Sequence, residues 1–389
     1  MAHDTSTKGE EVIASVLHGV MDLKIEHRVL PLPSSTEVQI AIQSTGLCGS
    51  DLHYFNHYRN GDIIVREPLT LGHESSGVIT AIGSSVTSLQ VGDRVALEVG
   101  LPCLECELCT QGRYNICKGL RFRSSAKSFP HFQGTLQERI NHPAVYCHKL
   151  PSNVSLTTGA ILEPLSVAIH ALRRSALPSP NSSSTPKNTV LILGAGAVGL
   201  LCAAMCKVYN CKRVIIADIQ SSRVSFAVSN KFADAKLVVP MKRPQSIEEK
   251  LAFAKEVAEL AKGENGGEEV DAVFECTGVE SCLQAAIYST RPGGRILLIG
   301  MGSPIQTLPI SAAALREIDL VGVFRYANTY AEAIKLVSSH NPLLPDLSKL
   351  VTQTFSGFDR IPDAFAMAGR VKDDEDNLVL KVVVDTTSA

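Results

Sequence analysis

TVLILGAGAVGLLCAAMCKVYNCKRVIIAD, residues 189–218, decides the fold of this chain. A short run of Val, Ile and Leu meets Gly194, Gly196 and Gly199 in the spacing G-x-G-x-x-G. It continues into an apolar helical segment and returns from Arg213 to Ile216 as a second strand that ends at Asp218. Strand, tight turn, helix and strand in that order predict a dinucleotide-binding unit. The glycines permit the turn, let backbone approach a pyrophosphate and let helix pack closely on strand, while the helix N-terminus offers unpaired N–H groups to phosphate. Asp218 stands 24 residues after Gly194. A carboxylate there accepts from a ribose 2′-OH and repels a 2′-phosphate, so the expected coenzyme is NAD rather than NADP. A close-packed helix and a membrane span are the plainer readings of such a run. The flanking strands and the acid argue against the first; shortness and the charged sequence that follows argue against the second.

Toward the C-terminus, helix and strand signals alternate: SSRVSFAVSNKFA, AKLVVP, SIEEKLAFAKEVAELAKG, DAVFECTG, ESCLQAAIYST and GGRILLIG. The alternation predicts an α/β unit with a doubly wound parallel sheet. Strand ends at Cys276-Thr277-Gly278 and Gly300-Met301-Gly302 then fall at its carboxyl edge, beside the dinucleotide. Val198, Arg223, Val323, Phe324 and Arg325 complete the expected coenzyme contacts. The tail, LSKLVTQTFSGFDRIPDAFAMAGR and NLVLKVVVD, returns to mixed signals and is expected to rejoin the first lobe.

Upstream, VIASVLHG, LKIEHRVLPLP and EVQIAIQSTGLCG read as strands of a mixed or antiparallel sheet, with no helix signal before Cys48. SDLHYFNHYRNGD, which holds His53, Tyr54 and His57, reads as a surface turn or a pocket wall. Glycines surround His73 and Glu74. A lone His-Glu pair is ordinarily surface polarity, but Cys48 upstream and Glu163 downstream supply further zinc-ligand types. Glu163 is expected at the start of a helix in front of Pro164, where either the helix N-terminus or a metal explains a carboxylate in apolar surroundings. Phe122, Ser125, Phe129 and His131 are candidates for substrate contact.

CLECELCTQGRYNIC carries Cys103, Cys106, Cys109 and Cys117 as C-x2-C-x2-C-x7-C, compact enough for four sulfurs to meet on one tetrahedral metal. Four thiolates suit an iron–sulfur cluster as well as zinc; the surrounding sequence favours zinc. A closed sphere of this kind stabilises a lobe rather than performing chemistry.

The chain has 389 residues, enough for about two domains with substantial cores. Its 37 basic and 39 acidic residues leave a formal charge of −2, and no basic run resembles a nucleic-acid surface. The first residues, MAHDTSTKGEE, lack an apolar targeting core and DTTSA carries no lipidation signal, so a cytoplasmic protein with no membrane partner is expected. Eleven cysteines, odd in number and unevenly spaced, argue against a disulfide scaffold. The Pro/Ser-rich run PSPNSSSTPKN, 178–188, is the clearest linker. The expected domains are 1–178 with a zinc lobe at 98–120, then 179–320, then a return of 321–389 to the first.

TGLCGSDLHY at 45–54, GHESSG at 72–77, GDRVALE at 92–98, the four cysteines, EPLSVAIHA at 163–171, the glycine fingerprint, ECTGVE at 275–280 and FRYANTY at 324–330 together resemble the zinc-containing medium-chain dehydrogenases. Within that superfamily they resemble the fungal polyol group that acts on sorbitol, xylitol and L-arabinitol. The resemblance covers nearly the whole chain. It implies a mostly-β GroES-like catalytic domain beside a Rossmann domain, one catalytic and one structural zinc, and NAD-dependent reversible oxidation of a secondary hydroxyl of a polyol to a ketose. It places the catalytic zinc on Cys48 and His73, with Glu74 and a water completing the sphere and Glu163 reaching the metal directly or through water. It gives Ser50 and His53 the proton relay, and Tyr54, Phe122, Arg325 and Tyr326 the substrate. A homo-oligomer, a tetramer by analogy, is implied too. Alcohol or L-threonine dehydrogenase of the same fold, and a non-catalytic NAD-binding protein, are the competing expectations. RFRSSAKSFPHFQG and FNHYRNGDIIVREP depart from the common forms of the family and leave the choice of polyol open.

Overall fold

The computed structural model describes residues 9–177 and 188–387. Apart from Asn188, the linker read at 178–188 lies outside the described residues. The chain forms two compact units: Met1–Glu163 with Tyr330–Ser339 and Ser348–Ala389, and Pro164–Thr329 with His340–Leu347.

The second unit is a six-stranded parallel sheet in the order Ala235–Val238, Arg213–Asp218, Thr189–Leu193, Val270–Glu275, Thr290–Leu298, Asp319–Gly322. Numbered along the chain this is 3-2-1-4-5-6, the doubly wound Rossmann order. Every residue of TVLIL is buried, as a strand in a sheet covered on both faces requires. Helices Ala197–Val208, Ser221–Ser229, Ile247–Glu264 and Glu280–Ser289 make the connections between strands. The longest begins at a capping box in which Ser246 Oγ accepts from the Glu249 N–H and the Glu249 carboxylate accepts from the Ser246 N–H. Its Phe253, Ala254, Val257, Ala258 and Ala261 recur at helical spacing and are buried in the core of this unit.

The first unit is mostly β, as a GroES-like domain is. Its larger sheet runs Cys147–Lys149, Arg94–Leu97, Glu74–Ile82, Glu37–Gly46, Lys381–Asp385, Val351–Ser356, with Arg139–Pro143 also paired to Glu37–Gly46. In the strand Glu37–Gly46, Val38, Ile40 and Ile42 alternate into one hydrophobic cluster. The C-terminal strand Lys381–Asp385 lies antiparallel to it, with Val383 opposite Gly46. That pairing carries Lys381 to the end of the sheet where Cys48 and Glu74 lie.

Two local expectations are corrected. Gly49–His57, read as a turn or pocket wall, is an α-helix that starts at Cys48. The Asp51 carboxylate accepts from the Cys48 N–H at 3.1 Å and closes the first turn. Tyr54 and Phe55 are buried, with Phe55 packed at 4.8 Å on Phe365, while His53, Asn56 and His57 are exposed. Packing of that short aromatic face against the distant Phe365 overrides a turn-like composition. Similarly, Glu163 does not start a helix, because the helix runs from Leu156 to Ser175 and contains Pro164. Ser155 Oγ accepts from the Thr158 N–H at 3.0 Å and caps it nine residues before Pro164. The helix N-terminus therefore does not account for the Glu163 carboxylate.

Candidate functional site

Asp51 organises the first candidate centre, and the motif reading did not single it out. It is fully buried. Oδ1 accepts from His73 Nδ1 at 3.2 Å, Gly72 N at 3.1 Å and Ser124 Oγ at 2.7 Å, and Oδ2 from Cys48 N. Burial alone would raise its pKa, but the imidazolium charge of His73 and these hydrogen bonds outweigh it and hold the carboxyl below its usual range. His73 shows the complement. Burial opposes its charged form, yet Asp51 and the Cys48 sulfur push its pKa well above the usual value. With Nδ1 donating to Asp51, the other ring nitrogen is the one available to a ligand.

Cys48 Sγ, a His73 ring nitrogen and a Glu74 oxygen lie within 4.8 Å of one another. A thiolate, an imidazole and a carboxylate converging on one point are a donor set for zinc, and three protein ligands leave a coordination position open. Glu74 is fixed by a residue at the far end of the chain, because Lys381 Nζ donates to both its oxygens at 2.8 Å and to Leu47 O at 3.0 Å. Gly46 makes room for this carboxylate: a Cβ there would fall 2.3 Å from Glu74 Oε2. Glu163 is buried and its charge helps keep Lys381 protonated, but it is not one of the three converging groups. Ser50 Oγ lies 3.5 Å from His73 Nε2. Phe122 packs edge-on to His73 with ring centroids 5.5 Å apart. Tyr54 is buried and its hydroxyl accepts from the Ala126 N–H at 3.2 Å.

The four cysteines form the second cluster. Sulfur separations of 3.9 Å (Cys103–Cys109), 3.5 Å (Cys106–Cys109), 3.8 Å (Cys106–Cys117) and 3.5 Å (Cys103–Cys117) are far beyond a disulfide bond. They match the edge of about 3.8 Å of a tetrahedron built on Zn–S bonds of about 2.3 Å. Backbone N–H groups of Glu105 and Cys106 bring the Cys103 thiol down to about 7. The residues present therefore fit two zinc ions, one with an open position and one closed.

In the second unit the fingerprint glycines form the tight turn and the close packing that their spacing predicts. Gly194 has φ +98°, and a Cβ on Gly199 would lie 1.8 Å from the Gly194 carbonyl oxygen, so helix and turn meet only because both positions are glycine. Gly196 caps the helix carrying Val198, and space is open where its Cβ would be. Asp218 ends its strand as expected. It also accepts from Ala195 N at 2.8 Å and Gln220 N at 2.9 Å, a link to the glycine turn that the motif does not announce. On the other side of the strand Thr189–Leu193, the Glu275 carboxylate accepts from the N–H groups of Thr277 and Gly278, and its carbonyl from those of Ile299 and Gly300. One residue thus sets the loops carrying Cys276, Thr277 and Gly300. Arg223 lies in the helix that follows Asp218. Val323 N donates to Leu298 O at 3.0 Å, Arg325 has φ +50° with its guanidinium 5.2 Å from the Phe324 ring, and Tyr326 is buried. Among the described residues no helix is long and apolar enough to cross a membrane.

Residues 34–152 match the model of the alcohol dehydrogenase GroES-like domain, and residues 197–339 match that of the zinc-binding dehydrogenases. A sorbitol dehydrogenase of Arabidopsis thaliana is 37% identical over 93% of both chains. An L-idonate 5-dehydrogenase of Vitis vinifera is 36% identical over 93% of both. Relatives of comparable identity come from mammals, a bird and fungi, so the likeness is not specifically fungal. Among solved structures, a short chain alcohol dehydrogenase of Escherichia coli complexed with NADH superposes with a TM-score of 0.78 at 26% identity, over 97% of this chain and 100% of that one.

Proposed function

The chain belongs to the zinc-binding medium-chain dehydrogenase/reductase superfamily, and from that premise we propose that it oxidises a secondary hydroxyl of a polyol to a ketose, reversibly, with NAD as coenzyme. The convergence of Cys48, His73 and Glu74 within 4.8 Å carries the reading, because such a donor set can hold a metal that activates an alcohol for hydride transfer.

Cys48, His73 and Glu74 would hold the catalytic zinc, with Glu163 near enough to Lys381 to act as an alternative carboxylate, and the four cysteines the structural one. When bound, the metal supplies Lewis acidity toward a hydroxyl oxygen, and the coenzyme supplies a hydride acceptor for the carbinol carbon. The rest is the work of side chains. Asp51 holds the His73 ring through Nδ1 and fixes which nitrogen faces the metal. Ser50, close to that ring, and His53, exposed on the same helix, are the groups assigned to carry the alcohol proton outward. Gly194, Gly196, Val198, Gly199, Asp218, Arg223, Cys276, Thr277, Gly300, Val323, Phe324 and Arg325 are assigned to the coenzyme. Arg325 and Tyr326, with Tyr54 and Phe122, are assigned to the substrate; fixed guanidinium donors suit several hydroxyls better than an alkyl chain.

Sorbitol, and not a simple alcohol, is in the name of the Arabidopsis relative, while that of the grapevine relative carries a sugar acid. Both are polyhydroxylated, which supports the substrate class and leaves its member to experiment. Domain limits at 1–178, 179–320 and 321–389, a homotetramer and a cytoplasmic location belong to the same proposal by analogy. Zinc-replete protein assayed with NAD and with NADP on sorbitol, xylitol, L-arabinitol, galactitol, L-idonate, L-threonine and primary alcohols tests it. Turnover of a polyol with NAD is expected; turnover of threonine or primary alcohols alone would replace the reading with another dehydrogenase of this fold. Failure on every substrate would favour a non-catalytic NAD-binding protein.

A further inference from the structure

Ser124 comes from RFRSSAKSFPHFQG, one of the two segments that depart from the family pattern, and its hydroxyl donates to Asp51 at 2.7 Å, closer than Cys48 N, Gly72 N or His73 Nδ1. The bond falls on Oδ1, the oxygen that also receives His73 Nδ1. Ser124 is buried and holds φ +61°, a left-handed conformation that a residue with a side chain keeps only when its surroundings impose it.

Those surroundings are specific. Ser124 N donates to Phe132 O at 2.9 Å, which folds the segment back on itself. The buried Arg123 donates to His142 Nδ1, Gln133 O and Asn141 O, so one end is fastened to the strand Arg139–Pro143. His131 fastens the other end. Its Nδ1–H donates to Ser128 O at 2.8 Å and its Nε2 accepts from the Arg66 N–H at 2.8 Å, while its own backbone N–H donates to the Glu67 carboxylate. With all three groups engaged, the buried imidazole is a clamp between residues 66–67 and the turn 128–131, a different task from the substrate contact expected of it.

We infer that Ser124 is a positioning residue for His73 as a metal ligand, and that the His131 clamp is what keeps the Ser124 hydroxyl on Asp51. The chain of contacts runs from Arg66–Glu67 through His131 to the backbone at 124, then through the hydroxyl to Asp51 and on to His73. The segment Arg121–Gln133 thereby acts on the metal centre without supplying a ligand. Outer partners of ligating histidines typically change metal affinity by about 10–100-fold when removed. The inference rests on the reading of Cys48, His73 and Glu74 as a zinc site.

The test compares zinc release to a competing chelator from the zinc-loaded wild type, Ser124→Gly, His131→Ala and the double variant, with the four-cysteine zinc as internal reference. Ser124→Gly removes the hydroxymethyl side chain and relieves the left-handed backbone, so its thermal stability should stay close to that of the wild type. Its affinity at the Cys48–His73 site should fall about tenfold while the four-cysteine zinc is retained. His131→Ala should lower the same affinity, and adding it to Ser124→Gly should lower it no further, since both act through one bond. Wild-type affinity in Ser124→Gly, or additive losses in the double variant, would overturn the inference. A wild type that holds zinc only on the four cysteines would overturn the reading beneath it instead. If His131→Ala fails to fold, Ser124→Gly alone decides whether the hydroxyl matters, and Arg66→Pro, which removes the N–H that His131 accepts, decides the clamp.

Discussion

Lys381 Nζ donates to both carboxylate oxygens of Glu74 at 2.8 Å, in a pair buried to within a few per cent of full occlusion and separated by 307 residues of chain. Burial would strip the proton from a lysine, yet the Glu74 charge raises its pKa instead. The pair joins the last strand of the chain to the candidate metal centre.

In protein stripped of the metal at Cys48, His73 and Glu74, Lys381→Met leaves Glu74 buried with no cation against it and should cost about 3–5 kcal/mol in urea unfolding. Glu74→Gln in the same background should recover most of the loss, since the uncompensated charge and not the missing contact is the source. A loss below about 1 kcal/mol for Lys381→Met in that metal-free protein would mean that water already compensates the Glu74 charge.

Cys106→Ser opens the four-thiolate cluster. Metal analysis should then find one zinc per chain where the wild type holds two, and Tm should fall by on the order of 10 °C, because metal binding free energy in such a lobe is folding free energy. An unchanged Tm would show that the lobe folds without its metal.

Asp218→Ala removes the charge facing the expected ribose and frees the Ala195 and Gln220 N–H groups. The ratio of kcat/KM with NAD to that with NADP should drop about tenfold or more, the scale of one lost charge-assisted hydrogen bond. An unchanged ratio would place the acid away from the 2′ position.

Burial raises the Glu275 carboxyl above 4.5, and the hydrogen bonds from Thr277 and Gly278 offset this only in part. An acid whose native pKa is raised binds its proton more tightly folded than unfolded. The native state therefore holds the extra proton between 4.5 and the raised value, and this group's contribution to stability falls as pH rises through that window. Glu275→Gln, which keeps one acceptor oxygen, should lack that slope, so its stability relative to the wild type should climb with pH across the window and then level off. Urea unfolding at a series of pH values checks this; parallel slopes would contradict it.

How far the sequence could be read follows from the range of the interactions. Gly194, Gly196, Gly199 and the strand ending at Asp218 form a local motif, and the spacing of Cys103 to Cys117 is a local chelate, so both were legible. Cys48 and His73 were legible by type. Asp51, Ser124 and Lys381 were not, because their links to the metal centre run through partners 22, 73 and 307 residues distant. The helix Gly49–His57 was hidden for the same reason: its buried side is decided by Phe365 and by the Asp51 carboxylate, not by a hydrophobic period. Glu163 was misplaced at a helix start because Pro164, ordinarily a first-turn residue, sits in mid-helix here.

The central claim is that zinc held by Cys48 and His73 drives NAD-linked polyol oxidation. NADH formation from a polyol, followed as a chelator withdraws zinc while metal content and circular dichroism are recorded, tests it most directly. Activity should vanish with the first zinc lost, while the second stays and the fold is unchanged. Full turnover after that first zinc has gone would contradict the account.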